Sequence, residues 1–493
     1  MNATRTSEAP SGVPLGVGFT LAAVVFVTRL PFLWTGFGTD TDTWKLACAL
    51  REIAQTGHYT ASRLPGYPLM EWTCAPFVRF GPWAPNALSA IAAAACAWLG
   101  ARLFARHGVR DAWLAGAAFV FVPAAYIAGT SSIDYLWAIA FLLAAWLDAT
   151  DGRAERAGLW LGLAVGSRMT SALFVVPLAW LAWNAARDHR LLRVGRFASI
   201  GAVVGAAWYV PAFLRYGWEM FTYSEIRGGQ STALHFLGGM LHPGESGVPW
   251  PLIAGQATVL LWGVVGTAAV WLALLSLAWQ PRAAERAARL APPVWVALGS
   301  VVALELILYL RLPHDEGYLL PAVPFVLLAL AAWLTPARFR AMCVALLVSP
   351  FVFAVDATPP KKGLTPAATI AWHVPLGRET LVIEPRRGPV QRDLAKRQRM
   401  QDVAAGLEAW WPHRPTTFKL VAGNMVAMLY YLFPQDPRYP AFARSYPADE
   451  LRRAAAQGIP VYALPDVVDR MRIAGDGTAA AGMLPLPGPE GVR

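Results

Sequence analysis

The stretch "GTDTDTWKLA" at residues 38–47 directly follows an apolar run that is long enough to cross a bilayer. It places two carboxylates, Asp40 and Asp42, at the end of that run. At residues 62–72 the sequence "SRLPGYPLMEW" adds an arginine and two prolines just before the chain becomes apolar again. Acids, a base and turn residues beside a membrane segment indicate a site at the membrane surface.

The composition predicts an integral membrane protein. The chain has 493 residues, of which 56% are hydrophobic and 15% charged, and its mean hydropathy is +0.41. A soluble chain of this length needs more charged surface. The formal charge of +11 is explained by positive cytoplasmic loops, and no basic cluster with interleaved aromatics indicates a nucleic-acid partner. Abundant Arg, Ala, Gly and Pro with few lysines favour a GC-rich bacterial source, and hence the bacterial cytoplasmic membrane.

Apolar runs close to the ~20 residues that a bilayer requires recur along the chain. They lie at 14–34, 86–105, 112–129, 133–149, 197–213, 251–279, 292–311, 319–334 and 338–356. A further apolar stretch, 158–184, is interrupted by "GSRMT" at 166–170.

Arginines between these runs set the predicted orientation. They occupy alternate connections: Arg106 and Arg110, Arg153 and Arg156, Arg187 to Arg196, Arg282 to Arg289, and Arg338 with Arg340. The positive-inside rule assigns those connections to the cytoplasm. All of these connections fall on the cytoplasmic side only if 158–184 is a hairpin that returns to the side from which it starts. The hairpin gives about eleven predicted crossings, with the N-terminus inside and the C-terminus outside. Arg168 would then lie below the outer surface, either in a wet cavity or snorkelling to headgroups.

The chain changes character after residue 356, where charge rises. The segments "TLVIE" (380–384), "TFKLVAG" (417–423) and "IPVYALP" (459–465) are typical of short buried strands, and 390–410 and 447–457 have helical periodicity. The fold class predicted is a mainly α polytopic membrane protein with a small extracytoplasmic α/β domain. The predicted organisation is a cytoplasmic tail at 1–13, a membrane domain at 14–356 with outer loops 35–85 and 214–250, the α/β domain at 357–478 and a disordered tail at 479–493.

The first outer loop contains the main candidates. Residues 43–57 have an apolar stripe at helical spacing and a terminal glycine, which predicts a short amphipathic helix in the membrane interface. One aspartate can be explained as the N-cap of that helix, with Thr41 or Thr43 as competitors. A second aspartate is left over. Asp42 is closer to the expected helix start, so we assign the cap to Asp42 and a chemical role to Asp40.

An acidic pair after the first span, an interfacial helix and an "SR-PGYP" return resemble the GT-C superfamily of membrane glycosyltransferases, which includes protein O-mannosyltransferases, aminoarabinose transferases and oligosaccharyltransferases. The hairpin "GLAVGSRMTSALFVVPLAW" (162–180) and "HDEGYLLPAVPF" (314–325) are similar to further motifs of that superfamily. One position departs: Gly317 stands where the superfamily has a basic residue before the tyrosine. Either Arg311 or His314 replaces it, or that contact is absent.

The resemblance implies a hexosyl- or pentosyltransferase that moves a sugar from a polyprenyl-phosphate carrier to a glycan, lipid or protein acceptor on the outer face. It implies Asp40 or Asp42 as general base. Arg63, Arg168 and His314 would bind the phosphate. No metal is obligatory, although an Asp-x-Asp pair leaves open Mg²⁺ or Mn²⁺, which prefer six oxygen ligands.

Further polar residues are candidates for substrate binding, each with an ordinary alternative. Asp134 starts an outer helix and is either a capping residue or a second acid of the site. Glu305 lies inside a span, where an acid is costly and either functional or bonded to a neighbouring helix. Glu316 and Tyr67 lie in outer loops, where acids and interfacial tyrosines are common.

A second function class remains open from the sequence, namely a transporter or flippase for a lipid-linked or anionic substrate. Such a protein would place its charged residues near the middle of the membrane and in reach of both sides. The candidates here gather toward one predicted face.

Overall fold

The computed structural model describes residues 14–186, 188–222, 250–311, 315–358, 372–376, 379–433, 442–443, 446, 448–464 and 484–485. The predicted cytoplasmic tail, His314, residues 223–249 of the second outer loop and the final residues 486–493 lie outside the described residues.

The described residues between 14 and 348 are mostly helical. The helices are α1 Leu15–Arg29, α2 Thr41–Thr56, α3 Pro68–Cys74, α4 Trp83–Arg106, α5 Ala112–Phe121, α6 Pro123–Ala128, α7 Tyr135–Thr150, α8 Ala154–Ser167, α9 Val175–Ala185, α10 Arg190–Tyr216, α11 Glu219–Thr222, α12 Trp250–Gly255, α13 Leu261–Ser276, α14 Ala283–Ala287, α15 Pro292–Arg311, α16 Val323–Trp333 and α17 Pro336–Val348.

Short 3₁₀ turns lie between several of these helices. They cover Leu30–Phe32, Ala75–Phe80, Met169–Phe174, Leu277–Trp279, Glu316–Ala322 and Ser349–Phe351.

Five helical segments of the described chain are long and apolar enough to cross a membrane: Trp83–Arg106, Arg190–Tyr216, Trp250–Trp279, Pro292–Arg311 and Glu316–Trp333. Shorter apolar helices lie at Gly16–Phe32, Ala112–Phe121, Tyr135–Thr150 and Met169–Ala185. A multi-pass membrane protein is therefore supported. The number of about eleven crossings stays a prediction.

Three predicted runs are not single straight helices. The run 112–129 breaks at Val122, which has ψ 132° because Pro123 disfavours the helical conformation of the residue before it. The run 251–279 is interrupted at Gly263 (φ 73°), where a Cβ would lie 2.2 Å from Ser349 Oγ. The run 338–356 ends as a helix at Val348, and residues 354–358 form a strand instead.

The predicted hairpin is present as α8, a 3₁₀ turn and α9. Its first arm starts at Ala154, so it is longer than the apolar run beginning at 158. Glycines let α8 pack closely on α10: a Cβ at Gly158 would lie 2.4 Å from Phe197 O, and one at Gly162 would lie 3.0 Å from Gly201 O. Small residues four apart are the usual basis of such close helix contacts. This contact fixes the position of Arg168, at the end of α8.

The arginine-bearing connections meet at one end of the helical bundle. Arg106 Nε lies 3.0 Å from Asp151 Oδ1, Arg196 Nη1 lies 3.2 Å from Glu155 Oε1, and Arg340 Nη2 lies 2.9 Å from Asp111 Oδ2. Asn86, near the other end of α4, donates to the carbonyls of Leu33 and Gly36. The 24 residues of α4 separate the two ends by about 36 Å.

The segment after residue 353 contains two small sheets. In the first, β1 (Ala354–Thr358) and β2 (Trp372–Leu376) flank β3 (Glu379–Glu384), all antiparallel. In the second, the order is β5 (Phe442–Ala443), β4 (Lys419–Val421), β6 (Val461–Ala463) and β7 (Leu484–Pro485), all parallel. The helices α18 (Pro389–Trp410), α19 (Val426–Leu432) and α20 (Ala448–Ala456) lie between strands, so the three predicted strands and two predicted helices are confirmed.

The C-terminal segment shares an apolar core with the first outer loop. The stripe of α2 predicted to face the membrane interface is buried in protein: Ala47 and Leu50 are fully buried, and they belong to the same core as Met428 and Leu429 of α19. Arg51 Nη2 also donates to Tyr430 O at 3.0 Å. The expectation of an interfacial α2 is therefore wrong, because α19 covers the face that would have met lipid.

Candidate active site

The acidic pair lies at the start of α2, but in the reverse order to that expected. Asp40, with extended backbone (φ −80°, ψ 142°), is the N-cap, and its Oδ1 accepts the backbone N–H of Asp42 at 3.0 Å. Asp42 lies in the first helical turn. The assignment of the cap to Asp42 is wrong because the helix begins at Thr41, two residues earlier than its apolar stripe indicates. The carboxylate of Asp40 caps the helix with one oxygen and is reached by solvent through a cavity whose protein walls partly desolvate it.

Asp42 is engaged by two cations. It forms an ion pair with Arg63, and its Oδ1 lies 3.2 Å from Lys45 Nζ. Burial raises the pKa of Asp42, but the charges of Arg63 and Lys45 outweigh burial and bring the pKa below its ordinary value. The pKa of Asp40 is raised, by burial first and then by the negative charge of Asp42. Asp40 is therefore the more basic of the two carboxylates.

Asp134 and Arg168 form a second pair beside the first. Arg168 Nη1 lies 2.5 Å from Asp134 Oδ2, and Arg63 Nη2 lies 3.8 Å from Asp134 Oδ1. Asp134 precedes α7 but makes no side-chain capping bond, so capping does not explain it. The guanidinium of Arg168 is buried, at 4.2 Å from the ring centre of Tyr135 and 4.8 Å from that of Tyr318. Asp42, Arg63, Asp134 and Arg168 thus form one continuous charged chain.

The loop after residue 314 joins this chain through Tyr135. Its hydroxyl donates to Asp315 Oδ2 at 2.6 Å, and Asp315 Oδ1 accepts the backbone N–H of Gly317 at 2.8 Å. A Cβ at Gly317 would lie 2.5 Å from Tyr135 Cζ. A side chain at 317 would therefore require the Tyr135 ring to move. His314, one of its expected replacements, lies outside the described residues.

A buried carboxylate that the sequence did not reveal as functional holds the return loop. Glu71 Oε1 accepts the backbone N–H of Ser62 at 2.7 Å, and Oε2 accepts that of Tyr67 at 3.0 Å and the hydroxyl of Tyr59. Burial raises the pKa of Glu71, although these hydrogen bonds oppose the shift. Because Ser62 and Tyr67 flank Arg63, Glu71 fixes the backbone that presents Arg63 to Asp42. Tyr67 itself lies under the Arg63 guanidinium, 4.8 Å from ring centre to Cζ.

A cavity of about 340 Å³ opens beside Asp40. One wall carries acids, namely Asp40, Asp315 and Glu316. Helix α18 contributes Arg392, Asp393, Lys396 and Arg397 to the lining. Arg63 and Arg168 are not among the residues that line the cavity. Three cations of the C-terminal segment therefore line the same cavity as Asp40, Asp315 and Glu316.

Helix α18 is fixed against the membrane helices by buried polar contacts. Arg397 Nη1 donates to Thr130 O at 2.7 Å, and Arg397 Nε lies 2.7 Å from Asp393 Oδ2. Thr39 Oγ1 donates to Asp393 Oδ1 at 2.9 Å, one residue before Asp40. The sequence showed α18 as a charged helix, and the spacing of Arg392 and Lys396 by four residues was a signal for one basic face. Its place over the site could not be read from that spacing.

Glu305, the remaining candidate, does not line the cavity. Glu305 lies buried in α15 within a candidate span, and its Oε2 has no hydrogen-bond partner among the described residues. Within the described residues, no group of three His, Cys, Asp or Glu side chains is placed to hold a metal ion. Both carboxylate oxygens of Asp42 are engaged by side chains, Oδ1 by Lys45 and Oδ2 by Arg63.

Comparison with known proteins gives a limited result. No protein-family model and no curated protein matches the chain. The chain is similar to a crystal structure of ArnT from Cupriavidus metallidurans bound to undecaprenyl phosphate, with TM-score 0.43 and 16% identity over 64% of this chain and 59% of that one. It is also similar to the apo state of the same protein, with TM-score 0.41 and 16% identity over 95% and 73%. The chain thus spans less than two thirds of the first structure.

Proposed function

We propose that the protein is a membrane glycosyltransferase that moves a sugar from a polyprenyl-phosphate donor to an acceptor hydroxyl at the outer face of the membrane. The observation that carries this proposal is the cavity that is lined both by Asp40 and by cations of α18. A transfer of this kind needs a carboxylate that takes the proton of the acceptor hydroxyl and positive charge that stabilises the phosphate leaving group.

Asp40 has the properties of the general base. The acceptor oxygen attacks the anomeric carbon, its proton passes to Asp40, and the bond from that carbon to the phosphate oxygen breaks. The electron pair leaves with the lipid phosphate. A base works best when its pKa is not far below the working pH, and burial together with Asp42 raises the pKa of Asp40 in that direction. The caps of Asp and Asn are equivalent, so the two duties of Asp40 can be separated by experiment.

The donor phosphate is proposed to bind Arg392 and Lys396 of α18. Both line the same cavity as Asp40. Arg63 and Arg168 are held by Asp42 and Asp134, so their proposed role is to fix the acidic wall and to supply positive charge from behind it. A lipid phosphate leaving group is already anionic and is stabilised by preorganised cations more than by an acid. We propose that no metal is obligatory, because Asp42 is already neutralised by side chains.

A transfer assay on the full-length protein in nanodiscs tests the proposal. A panel of polyprenyl-phosphate sugars is supplied with a mixed acceptor extract, and release of polyprenyl phosphate is followed. We expect release with at least one donor. Lys396→Ala should raise the donor KM by about ten-fold or more, as expected for a lost charge-assisted contact. Arg399→Ala is the matched control, because Arg399 is a cation of the same helix that does not line the cavity.

Two outcomes would contradict the proposal. The first is no release with any donor although the protein stays folded. The second is movement of an intact lipid-linked sugar across the membrane without cleavage, which would favour the transporter or flippase. The position of the charged cluster argues against the latter, because Asp40, Arg63 and Asp134 lie at one end of the bundle and not near its middle.

A further inference from the structure

A second cavity, of about 350 Å³, lies at the opposite end of the bundle, where the arginine-bearing connections meet. The connection after α4, the short helix α14 and the segment joining α16 to α17 line it. Its chemistry differs from that of the first cavity. Three of its lining residues are arginines, namely Arg110, Arg286 and Arg289, and one is an acid, Asp111.

The positive charge of this cavity is not neutralised from within. Asp111 is taken by Arg340, which approaches it through Nε at 3.0 Å and Nη2 at 2.9 Å. Neither Arg110 nor Arg289 forms an ion pair in the part of the chain that the structure describes, and both are exposed. His107 adds no charge near neutral pH, because burial and then Arg106 lower its pKa to about 4.

Arg286 is held rigidly without losing its charge. It donates to Trp333 O at 3.2 Å, to Pro281 O at 2.9 Å and to Gln280 Oε1 at 2.8 Å. All three acceptors are uncharged. A guanidinium fixed by neutral groups beside two exposed arginines is suited to bind an oxyanion such as phosphate.

Apart from the three arginines, His107 and Asp111, the lining is apolar or glycine. Leu290, Leu334 and Phe339 are buried side chains of this wall, and Leu328 belongs to the candidate span that ends at Trp333. A soluble anion makes no favourable contact with apolar side chains, whereas a phospholipid presents a phosphate and an acyl chain side by side. The positive-inside rule explains arginines at this end of the bundle, but it does not require them to enclose a cavity with an apolar wall.

We propose that this cavity binds the phosphate headgroup of an anionic phospholipid from the inner leaflet. Arg110, Arg286 and Arg289 would hold the phosphate, and Leu334 and Phe339 would contact the upper part of an acyl chain. The site is independent of the proposed transfer reaction, since it lies at the other end of α4.

Lipid binding to the full-length protein, measured by native mass spectrometry, tests this site. The protein is titrated with phosphatidylglycerol, with phosphatidylcholine and with inorganic phosphate as a competitor. The variant Arg110→Ala/Arg289→Ala removes two exposed cations and leaves the anchored Arg286 in place. Its matched control is Arg156→Ala/Arg196→Ala, which removes two exposed arginines at the same end of the bundle that do not line the cavity.

We expect the cavity variant to bind phosphatidylglycerol roughly 30-fold more weakly than the wild type, from about a factor of five per arginine. The control variant should bind like the wild type, and phosphatidylcholine binding should change in neither. An equal loss in both variants would show general attraction to the charged end of the bundle and would overturn the proposal. Displacement of the lipid by equimolar inorganic phosphate would overturn the assignment to a lipid.

Discussion

Replacing Asp40 by Asn separates its two roles. As N-cap, Asp40 accepts the backbone N–H of Asp42 at 3.0 Å. An Asn side chain can accept the same bond, so the free energy of unfolding should change by only a few tenths of a kcal/mol. As general base, Asp40 must take a proton, which Asn cannot do. Turnover should therefore fall by about 10²–10⁴-fold, or about 2.7–5.4 kcal/mol of transition-state stabilisation.

Asp40→Ala serves as the matched comparison. It removes both the cap and the base, so it should lose turnover to the same extent and, in addition, about 1 kcal/mol of stability. The assay measures turnover and donor affinity of the purified variants with a polyprenyl-phosphate sugar, together with their melting temperatures. Donor affinity should survive in both, because the cations of α18 hold the phosphate. An Asp40→Asn variant with turnover close to wild type would refute the reasoning and leave Asp40 as a cap alone.

Four further predictions concern the same site and its placement. If Asp40 is the base, activity is present above its raised pKa and is lost as the pH falls through that pKa. Asp42→Asn removes the neighbouring charge that helps to raise the pKa of Asp40, so the acid limb of the kcat/KM profile should move to lower pH. An acid limb that does not move would contradict the coupling of the two carboxylates. Gly317→Ala should lower activity at least ten-fold, because the new Cβ would lie 2.5 Å from Tyr135 Cζ and overpacking of this kind costs about 1–3 kcal/mol. The control Gly299→Ala places its Cβ in open space and should leave activity unchanged in the same assay. Excess EDTA should leave turnover unchanged, and recovery of a lost activity by Mg²⁺ or Mn²⁺ alone would show a required metal. In a cysteine-free background, Asp402→Cys should react with an impermeant thiol reagent from outside and Arg340→Cys should not; the reverse pattern would invert the topology.

The stretch at residues 38–47 shows how much of the site can be predicted from the local sequence. Acids directly after an apolar run and a return turn with Arg63 indicated one site at the membrane surface, and in the structure Asp42 and Arg63 form an ion pair there. The order of the two aspartates was misjudged, since helix 41–56 begins before its apolar stripe does. A cap depends on backbone angles at a single residue, and apolar periodicity does not resolve a helix start to that precision.

For Arg168 and Asp134, the local sequence predicted the position of each residue but not the contact between them. The sequence placed each at the end of an apolar run on the predicted outer side, which is why they were candidates. That they pair at 2.5 Å depends on the close contact of α8 with α10 and on the position of α7 beside it. The glycines at 158 and 162 were visible in the sequence, but their partner helix was not.

The sequence alone determined the membrane class, the positions of most apolar helices, the strands of the C-terminal segment and the acidic pair of the first outer loop. These follow from composition and periodicity, which act within a few turns of chain. Only the tertiary structure decided that α18 closes the site with Arg392 and Lys396, that Glu71 holds the return loop, and that Gly317 must lack a side chain beneath Tyr135. Each of these depends on residues far apart in the chain that pack against one another, because burial, charge pairing and steric exclusion depend on distance in space and not on distance along the sequence.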